Sequence, residues 1–435
     1  SKTAAKLRGQ EKGSTVVIKI KRISQDEPLT FRLVRDEIVV SDIQYAGFVE
    51  PGIGLIKLNV FNRGAEKQVA DAIEELLDEG MQGLILDLRG NPGGLLDVAV
   101  SVAGNFLPKG EMVVYTQGRN TNSSKEYHTT RSPLYETMPL AVLVNDFSAS
   151  ASEIVAGSIQ DLDRGVVIGE PTFGKGLVQT VLPISRSSEG EVSLKLTTAK
   201  YYLPSGRLIQ KPEVFNKGQN SVFWGKDEET QGSIAVEDSL ETSAAEIFYT
   251  RNGRKVNGGG GVNPDIESEN PSTTRYVAEL LRKSMFFNFS LQYAADHPEL
   301  AEDFQVTDEI LAEFNTFVAE NEFDYEPAGM EQLSELEKIA KEEEYFEAME
   351  TSIKQMRGKF EDVKVEEKKK STEDVRYILK RELMAKLYGT DAAYATSFDR
   401  DVILNRAVDV LKNKEEYNRI LGIQTVAKHQ TEPLH

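Results

Sequence analysis

Apolar and polar positions alternate in short blocks through the first part of the chain. Residues 15–21 and 29–34 read as two strands, residues 38–40 as a further extended piece, and Ala4 to Leu7 as a helix end stopped by Gly9. From residue 54 the rhythm changes. Apolar runs at 54–60, 83–88, 112–116, 141–145 and 166–168 alternate with helical spacing at 67–77, 95–106 and 151–160. Strand signals return at 177–184 and 192–203. Apolar β runs interleaved with helices predict an α/β layer fold with crossover connections. Beyond Thr273 the spacing is helical, as in Leu333, Leu336, Ile339 and Ala340, or Val402, Ile403, Arg406 and Val410.

This pattern divides the 435 residues into three expected regions. Residues 1–45 are too few in elements for a domain of their own. Residues 46–268 form the α/β core, with a polar insertion near 212–242 that contains the single Trp, Trp224. Residues 269–435 form an acidic all-helical domain. Charge marks the second boundary: residues 1–265 carry 34 acids and 29 Lys/Arg, the rest 36 acids and 22 Lys/Arg. The acid-rich stretch 301–350 reads as a solvated helix face or as a contact for a basic partner.

The overall charge of −19 lacks the basic excess that a phosphate backbone demands, so no nucleic-acid partner is expected. No apolar run approaches the roughly 18 residues of a membrane-spanning helix, and the first residues lack the basic and apolar regions of a signal peptide. Cysteine is absent, which excludes disulfides, thiolate metal sites and cysteine nucleophiles. Histidine is nearly absent too: His128, His297, His429 and His435 are the whole supply, and a histidine-dependent mechanism is not expected.

Three segments can carry chemistry. Asp87 to Gly94 (DLRGNPGG) follows an apolar strand and opens a helix, so its free N–H groups can hold an anion or a developing oxyanion, or it is simply a strand-to-helix turn. Ser148 to Glu153 (SASASE) lies between a strand and a helix. A serine there exposes its hydroxyl above the sheet with the next N–H aimed at the same point; equally, Ser followed by Glu is good helix-capping chemistry. Gly169 to Gly176 (GEPTFGKG) imitates a phosphate-binding GxxxxGK loop. Against that, Gly176 replaces the magnesium-binding Ser/Thr, Pro171 removes a cradling N–H, and a strand follows where a helix should begin.

Lys175 has a better use. Glycines on both sides allow close backbone approach, and the strand beyond carries the residue into the fold, where burial makes an amine lose its proton more readily. Such a lysine can deprotonate a serine where no histidine is available. Gln179 shares a face with Lys175 on an extended strand, roughly 13 Å away along the backbone, so the side chains or a bend must close that distance. Its neutral amide can orient the amine without stabilising the ammonium form as a carboxylate would.

Together these segments resemble the carboxyl-terminal processing proteases, also called tail-specific proteases. The resemblance rests on LDLRGNPGG at 86–94, SASASEI at 148–154, GEPTFGKG with Val178-Gln179 at 169–179, and YYLPSGR at 201–207, in that order, and covers residues 1 to about 268. It implies a crotonase-like or ClpP-like α/β core and a serine endopeptidase that cuts proteins near their C-termini through an acyl-enzyme, with no metal and no cofactor. By resemblance Ser150 is the nucleophile, Lys175 the general base and Gln179 its orienting partner, and the N–H groups of Ala151 and Gly94 form the oxyanion hole, with Gly93 the other candidate donor. The family carries a PDZ domain before its core, and residues 1–45 look like the last part of one. Gly258 to Asp265 resembles the segment that closes the core. The partners implied are proteins or peptides with exposed C-terminal tails; the oligomeric state, a homo-oligomer included, stays open. An exported location, periplasmic or in the cell envelope, is implied by kinship. The alternatives from other classes are an interaction protein with an idle serine and a nucleotide-binding protein.

Overall fold

A computed structural model describes residues 11–22, 27–37, 41–119, 124–187, 190–211 and 246–423. The expected helix end at 4–7, the extended piece at 38–40 and the insertion at 212–242 with Trp224 lie outside these residues. Two compact units are present, one joining residues 1–39 with 271–397 and the other joining 40–270 with 398–435.

In the first unit, β1 (Thr15–Ile20) and β2 (Leu29–Val34) form an antiparallel ladder. The second unit holds β3 (Ile43–Glu50), β4 (Ile53–Leu58), α1 (Ala65–Asp78), β5 (Gly83–Asp87), α2 (Leu96–Ala103), β6 (Met112–Gly118), β7 (Lys125–His128), β8 (Leu140–Val144), α3 (Ala151–Asp161), β9 (Val166–Gly169), β10 (Leu177–Ser187), β11 (Gly190–Tyr202), β12 (Ile247–Tyr249), β13 (Lys255–Asn257) and β14 (Ile266–Glu267). The strands β14-β9-β8-β5-β4-β3 form one sheet, parallel except for β3. A second sheet runs β10-β11-β6-β7 and is antiparallel. The mixed α/β architecture expected from the alternating apolar runs is present.

A parallel sheet needs cover on both faces. Along β5, Leu84 and Leu86 join a core that includes Val69, Ile73, Val98, Val102, Ile154 and Val155 from α1, α2 and α3. Strand alternation turns Ile85 the other way, and Ile85, like Leu143 of β8, is fully buried. The helices of the first unit are α4 (Arg275–Arg282), α5 (Met285–Asp296), α6 (Asp308–Glu320), α7 (Met330–Glu342), α8 (Phe346–Lys370), α9 (Thr372–Leu387) and α10 (Thr390–Ala395). They are followed by α11 (Val402–Lys412) and α12 (Lys414–Ile420), and α11 packs on β5, β8 and β9. The helical region expected as one domain over 269–435 is thus shared between the two units. The sheet takes back its last part because apolar strands would otherwise face water.

The phenol of Tyr417 on α12 is buried and accepts a hydrogen bond from Leu140 N at 3.0 Å, stapling this helix to the start of β8. Tyr417→Phe leaves a buried N–H unpaired and is expected to cost about 1–3 kcal/mol. Urea unfolding checks it; an unchanged midpoint would show that the staple contributes nothing.

Candidate functional site

All three chemistry-bearing segments leave the C-terminal ends of adjacent parallel strands. β5 runs into the glycine loop 88–95, β8 into the serine segment 145–150, and β9 into the lysine loop 170–176. That edge is where open parallel sheets place their sites.

Ser150 caps the N-terminus of α3 with φ 55° and ψ −111°. A non-glycine residue at positive φ is strained, and the surrounding contacts must hold it there. Its two neighbouring serines are fully buried and structural: Ser148 Oγ donates to Leu88 O at 2.9 Å and Ser152 Oγ to Asn91 O at 2.9 Å. Ala149 N also donates to Asn91 O, at 3.0 Å, so the serine segment and the glycine loop are laced together. The geometry separates the serines as the motif alone could not: Ser148 and Ser152 are committed to the scaffold.

The glycine pair lies directly against Ser150. A Cβ added to Gly93 would stand 2.8 Å from both Ala151 N and Ser150 Cβ, and one added to Gly94 would stand 2.3 Å from Phe61 O. Both glycines have positive φ, 98° and 153°, so side chains are excluded twice over. Gly93 N donates to Asn91 Oδ1 at 2.9 Å. Phe61 bonds to Gly93 O and to Leu95 N, which leaves the Gly94 N–H turned away from that bridge. Among the described residues neither Gly94 N nor Ala151 N has an acceptor, whereas Gly93 N does.

The lysine loop is fastened to the serine segment by one carboxylate. Glu153, the third residue of α3, is fully buried. Its Oε1 accepts from Thr172 Oγ1 at 2.6 Å and Gly174 N at 2.7 Å, and its Oε2 accepts from Ser150 N at 2.8 Å and Lys175 N at 2.9 Å. Burial pushes this carboxyl above its ordinary value, and the four donors pull it back. Thr172 Oγ1 also accepts from Val262 N at 2.7 Å, which brings the glycine-rich segment 258–265 onto the same loop.

Lys175 is half-buried. Burial lowers its amine below the ordinary lysine value, the charge of Lys195 lowers it further, and the Glu153 carboxylate acts the other way. Tyr201, buried at the end of β11, donates its hydroxyl to the Lys175 carbonyl oxygen and faces the Ser150 side chain. Gln179 sits on β10 opposite Thr197, just after a register irregularity between Val178 and Gln179. Among the described residues no hydrogen bond joins Lys175 Nζ to Ser150 Oγ or Gln179 to Lys175. Ser150, Ala151, Gly93 and Gly94 are therefore brought together, and the backbones of Ser150 and Lys175 share Glu153. The side chains of Ser150, Lys175 and Gln179 are not linked to one another.

Sequence reasoning missed Glu153 as the link, because a Glu three residues into a helix looks like ordinary capping chemistry. It also missed Tyr201 as a neighbour of the site, although Tyr201 opens the fourth quoted segment. The nucleotide-loop imitation fails in space as in sequence. A strand, β10, follows Lys175, and the N–H groups of Gly174 and Lys175 are already taken by a carboxylate.

Glu153→Gln replaces an all-acceptor group with one that turns an NH2 toward donors. Stability is expected to fall by roughly 1–3 kcal/mol through buried donors left unpaired. Thermal and urea melts measure it, and equal stability of the two proteins would show that the carboxylate is not what joins the segments.

Two family models match parts of the chain. Residues 52–216 match the model of peptidase family S41, and residues 276–411 match that of the probable PDZ-protease C-terminal helical domain. The carboxy-terminal-processing protease of Bartonella bacilliformis is 42% identical over 46% of this chain and 45% of its own length. The carboxyl-terminal-processing protease of Synechocystis sp. is 38% identical over 48% of each chain, and carboxy-terminal processing protease CtpA of Bacillus subtilis is 36% identical over 48% of this chain and 43% of its own. This chain spans about half the length of the curated relatives it matches. Among solved structures, the photosystem II D1 C-terminal processing protease overlaps 60% of this chain and 56% of its own at 26% identity, with a TM-score of 0.35. Residues 52–216 are thus similar to peptidase family S41, and the curated relatives that this part of the chain resembles are carboxyl-terminal processing proteases.

Proposed function

We propose that the chain is a serine endopeptidase that cleaves protein substrates near their C-termini, with Ser150 as nucleophile, Lys175 as general base and Gln179 as the residue that orients the lysine. The observation that carries this reading is Ser150, strained at the head of α3 with the unpaired Ala151 N–H beside it, and tied through Glu153 to the loop of a lysine whose amine burial depresses.

In the proposed reaction Ser150 Oγ bonds to the scissile carbonyl carbon while its proton passes to neutral Lys175 Nζ. The oxyanion forms between the N–H groups of Ala151 and Gly94, with Gly93 disfavoured because its N–H already serves Asn91. Collapse breaks the C–N bond, and the Lys175 ammonium returns the proton to the departing amine. Water then attacks the acyl ester with Lys175 again as base, releasing the new carboxylate and restoring Ser150. No step uses a metal or a cofactor. That no hydrogen bond joins the two side chains among the described residues is compatible with this scheme, since catalytic hydrogen bonds often tighten only when substrate is bound.

The finer parts of the reading belong to the same proposal. The core is crotonase-like or ClpP-like; β1 and β2 are the last part of a PDZ domain that delivers C-terminal tails by strand addition; and the protein works in the periplasm or cell envelope. Among the described residues no helix is long and apolar enough to cross a membrane. The similarity to carboxyl-terminal processing proteases supports the C-terminal preference, and mass spectrometry of the fragments of an unstructured substrate tests it directly.

Wild type should cleave such a peptide, and Ser150→Ala and Lys175→Ala should each lose about 10⁴-fold or more in kcat. Equal cleavage by all three would sink the assignment and leave the idle-serine alternative; nucleotide binding abolished by Lys175→Ala would favour the other rival.

The pH profile has a definite sign. Because the base must be uncharged, kcat/KM should rise with pH along a limb that lies below the ordinary lysine value of about 10.4. Lys195→Gln removes a cation that depresses the Lys175 amine, so the limb should move to higher pH, and more at low salt because Lys195 is exposed. A limb displaced to lower pH would contradict Lys175 as the base.

A further inference from the structure

The loop that ends in Gly94 begins with a guanidinium shared between two carboxylates. Arg89 Nε donates to Asp87 Oδ1 at 3.0 Å and Nη2 to Asp87 Oδ2 at 2.7 Å. Its Nη1 donates to Asp401 Oδ1 at 2.8 Å, and its Nη2 lies 2.7 Å from Asp401 Oδ2. All three side chains are nearly closed to water. Lys57 Nζ completes the cluster, reaching Asp87 Oδ1 at 3.1 Å and the Arg89 carbonyl oxygen. Together the two acids hold the Arg89 charge firmly, against the cost of burying it.

Asp87, Arg89 and Lys57 all belong to the sheet and its loop. Asp401 stands 312 residues beyond Arg89, where the chain returns to the core. It is fixed there by two further bonds: its Oδ1 caps α11 by accepting from Leu404 N at 3.1 Å, and it accepts from Asn270 Nδ2 at 3.2 Å. A bidentate pair of this kind sets the orientation of a guanidinium as well as neutralising it. Downstream of Arg89 the loop has its own ties, Gly90 N to Asn145 Oδ1 at 2.8 Å and Asn91 Nδ2 to Leu58 O at 2.8 Å. Asp401 is the loop's anchor from the chain's last segment.

We propose that Asp401 is a positioning residue for the hydrolytic site: by gripping Arg89 together with Asp87 it fixes the loop that presents the Gly94 N–H, which makes the segment returning at residue 398 part of the catalytic unit. This rests on the peptidase reading above. A donor displaced by about 1 Å in such a site can cost 10²-fold in rate, so the grip need only prevent a small drift to matter. Substrate contacts far from the oxyanion are untouched, and the effect falls on the transition state alone.

Asp401→Asn and Asp401→Ser separate this role from helix capping, because both residues remain good N-caps while the carboxylate grip on Arg89 is lost. The full-length chain is assayed for kcat and KM with an unstructured peptide, for labelling of Ser150 by a fluorophosphonate, and for inhibition by a peptide aldehyde that forms a tetrahedral adduct. Both variants are expected to lose tenfold or more in kcat with KM within about twofold, and to bind the aldehyde more weakly by a similar factor. Asp401→Glu should recover part of the loss. Wild-type kcat in Asp401→Asn, or a loss confined to KM, would overturn the proposal. So would variants already unfolded at the assay temperature in a thermal melt, since the role would then be structural alone. A wild-type chain that neither cleaves peptide nor takes up the fluorophosphonate is a different result: it overturns the peptidase reading, and this inference with it.

Discussion

One buried carboxylate orders the site. Glu153 has no access to water, and an unpartnered carboxylate in that position would cost several kcal/mol. Four donors offset the cost, but they come from two stretches of chain: Ser150 N from its own helix cap, and Thr172 Oγ1, Gly174 N and Lys175 N from the loop after β9. Neither stretch satisfies the charge alone. The strained backbone at Ser150 and the path of the lysine loop are therefore stabilised by the same event, and the positive φ of Ser150 is held by a charge-assisted bond to its own N–H.

The parallel sheet explains why these stretches meet at all. β5, β8 and β9 lie side by side and point the same way, so the three loops at their ends emerge next to one another without any long excursion. A parallel sheet exacts a condition in return, since both of its faces must be covered. Helices α1 to α3 supply one cover and α11 packs on β5, β8 and β9 from a remote part of the sequence. The same return that covers the strands carries Asp401 to Arg89, so a demand of sheet architecture and the ordering of the glycine loop are met by one segment.

Much of this was legible in the chain itself. The apolar runs of β4, β5, β8 and β9 are dense enough to be read as buried strands, and the three motifs fall at their ends as their glycine and serine content suggests. The strand β3 was not legible, because an antiparallel edge interrupted by Gln44 and Gly47 lacks an apolar run, and short β7 (KEYH) carries only one apolar residue. The return of α11 to the sheet was hidden for another reason: an amphipathic helix records that it has a partner but not which partner. Glu153 was hidden by its spacing, which suits a capping box as well as a buried bridge. At Gln179 the pairing of β10 with β11 is irregular just after Val178, and among the described residues no bond joins its side chain to Lys175.

The imitation of a phosphate loop by GEPTFGKG shows how one set of residues can be spent in two ways. In a nucleotide site the loop N–H groups must be free for phosphate, and the lysine must stay charged. Here Gly174 N and Lys175 N point at a carboxylate of the protein, so an incoming phosphate would find its donors occupied and a like charge behind them. Burial and Lys195 depress the Lys175 amine, which weakens it as a phosphate ligand. The same depression favours a base that must take a proton from an alcohol near neutral pH. Glu153, an acid from helix α3 outside the loop, disqualifies the phosphate chemistry by occupying the loop's donors, while the depression that a neutral general base requires comes from burial and Lys195, against the pull of that same acid.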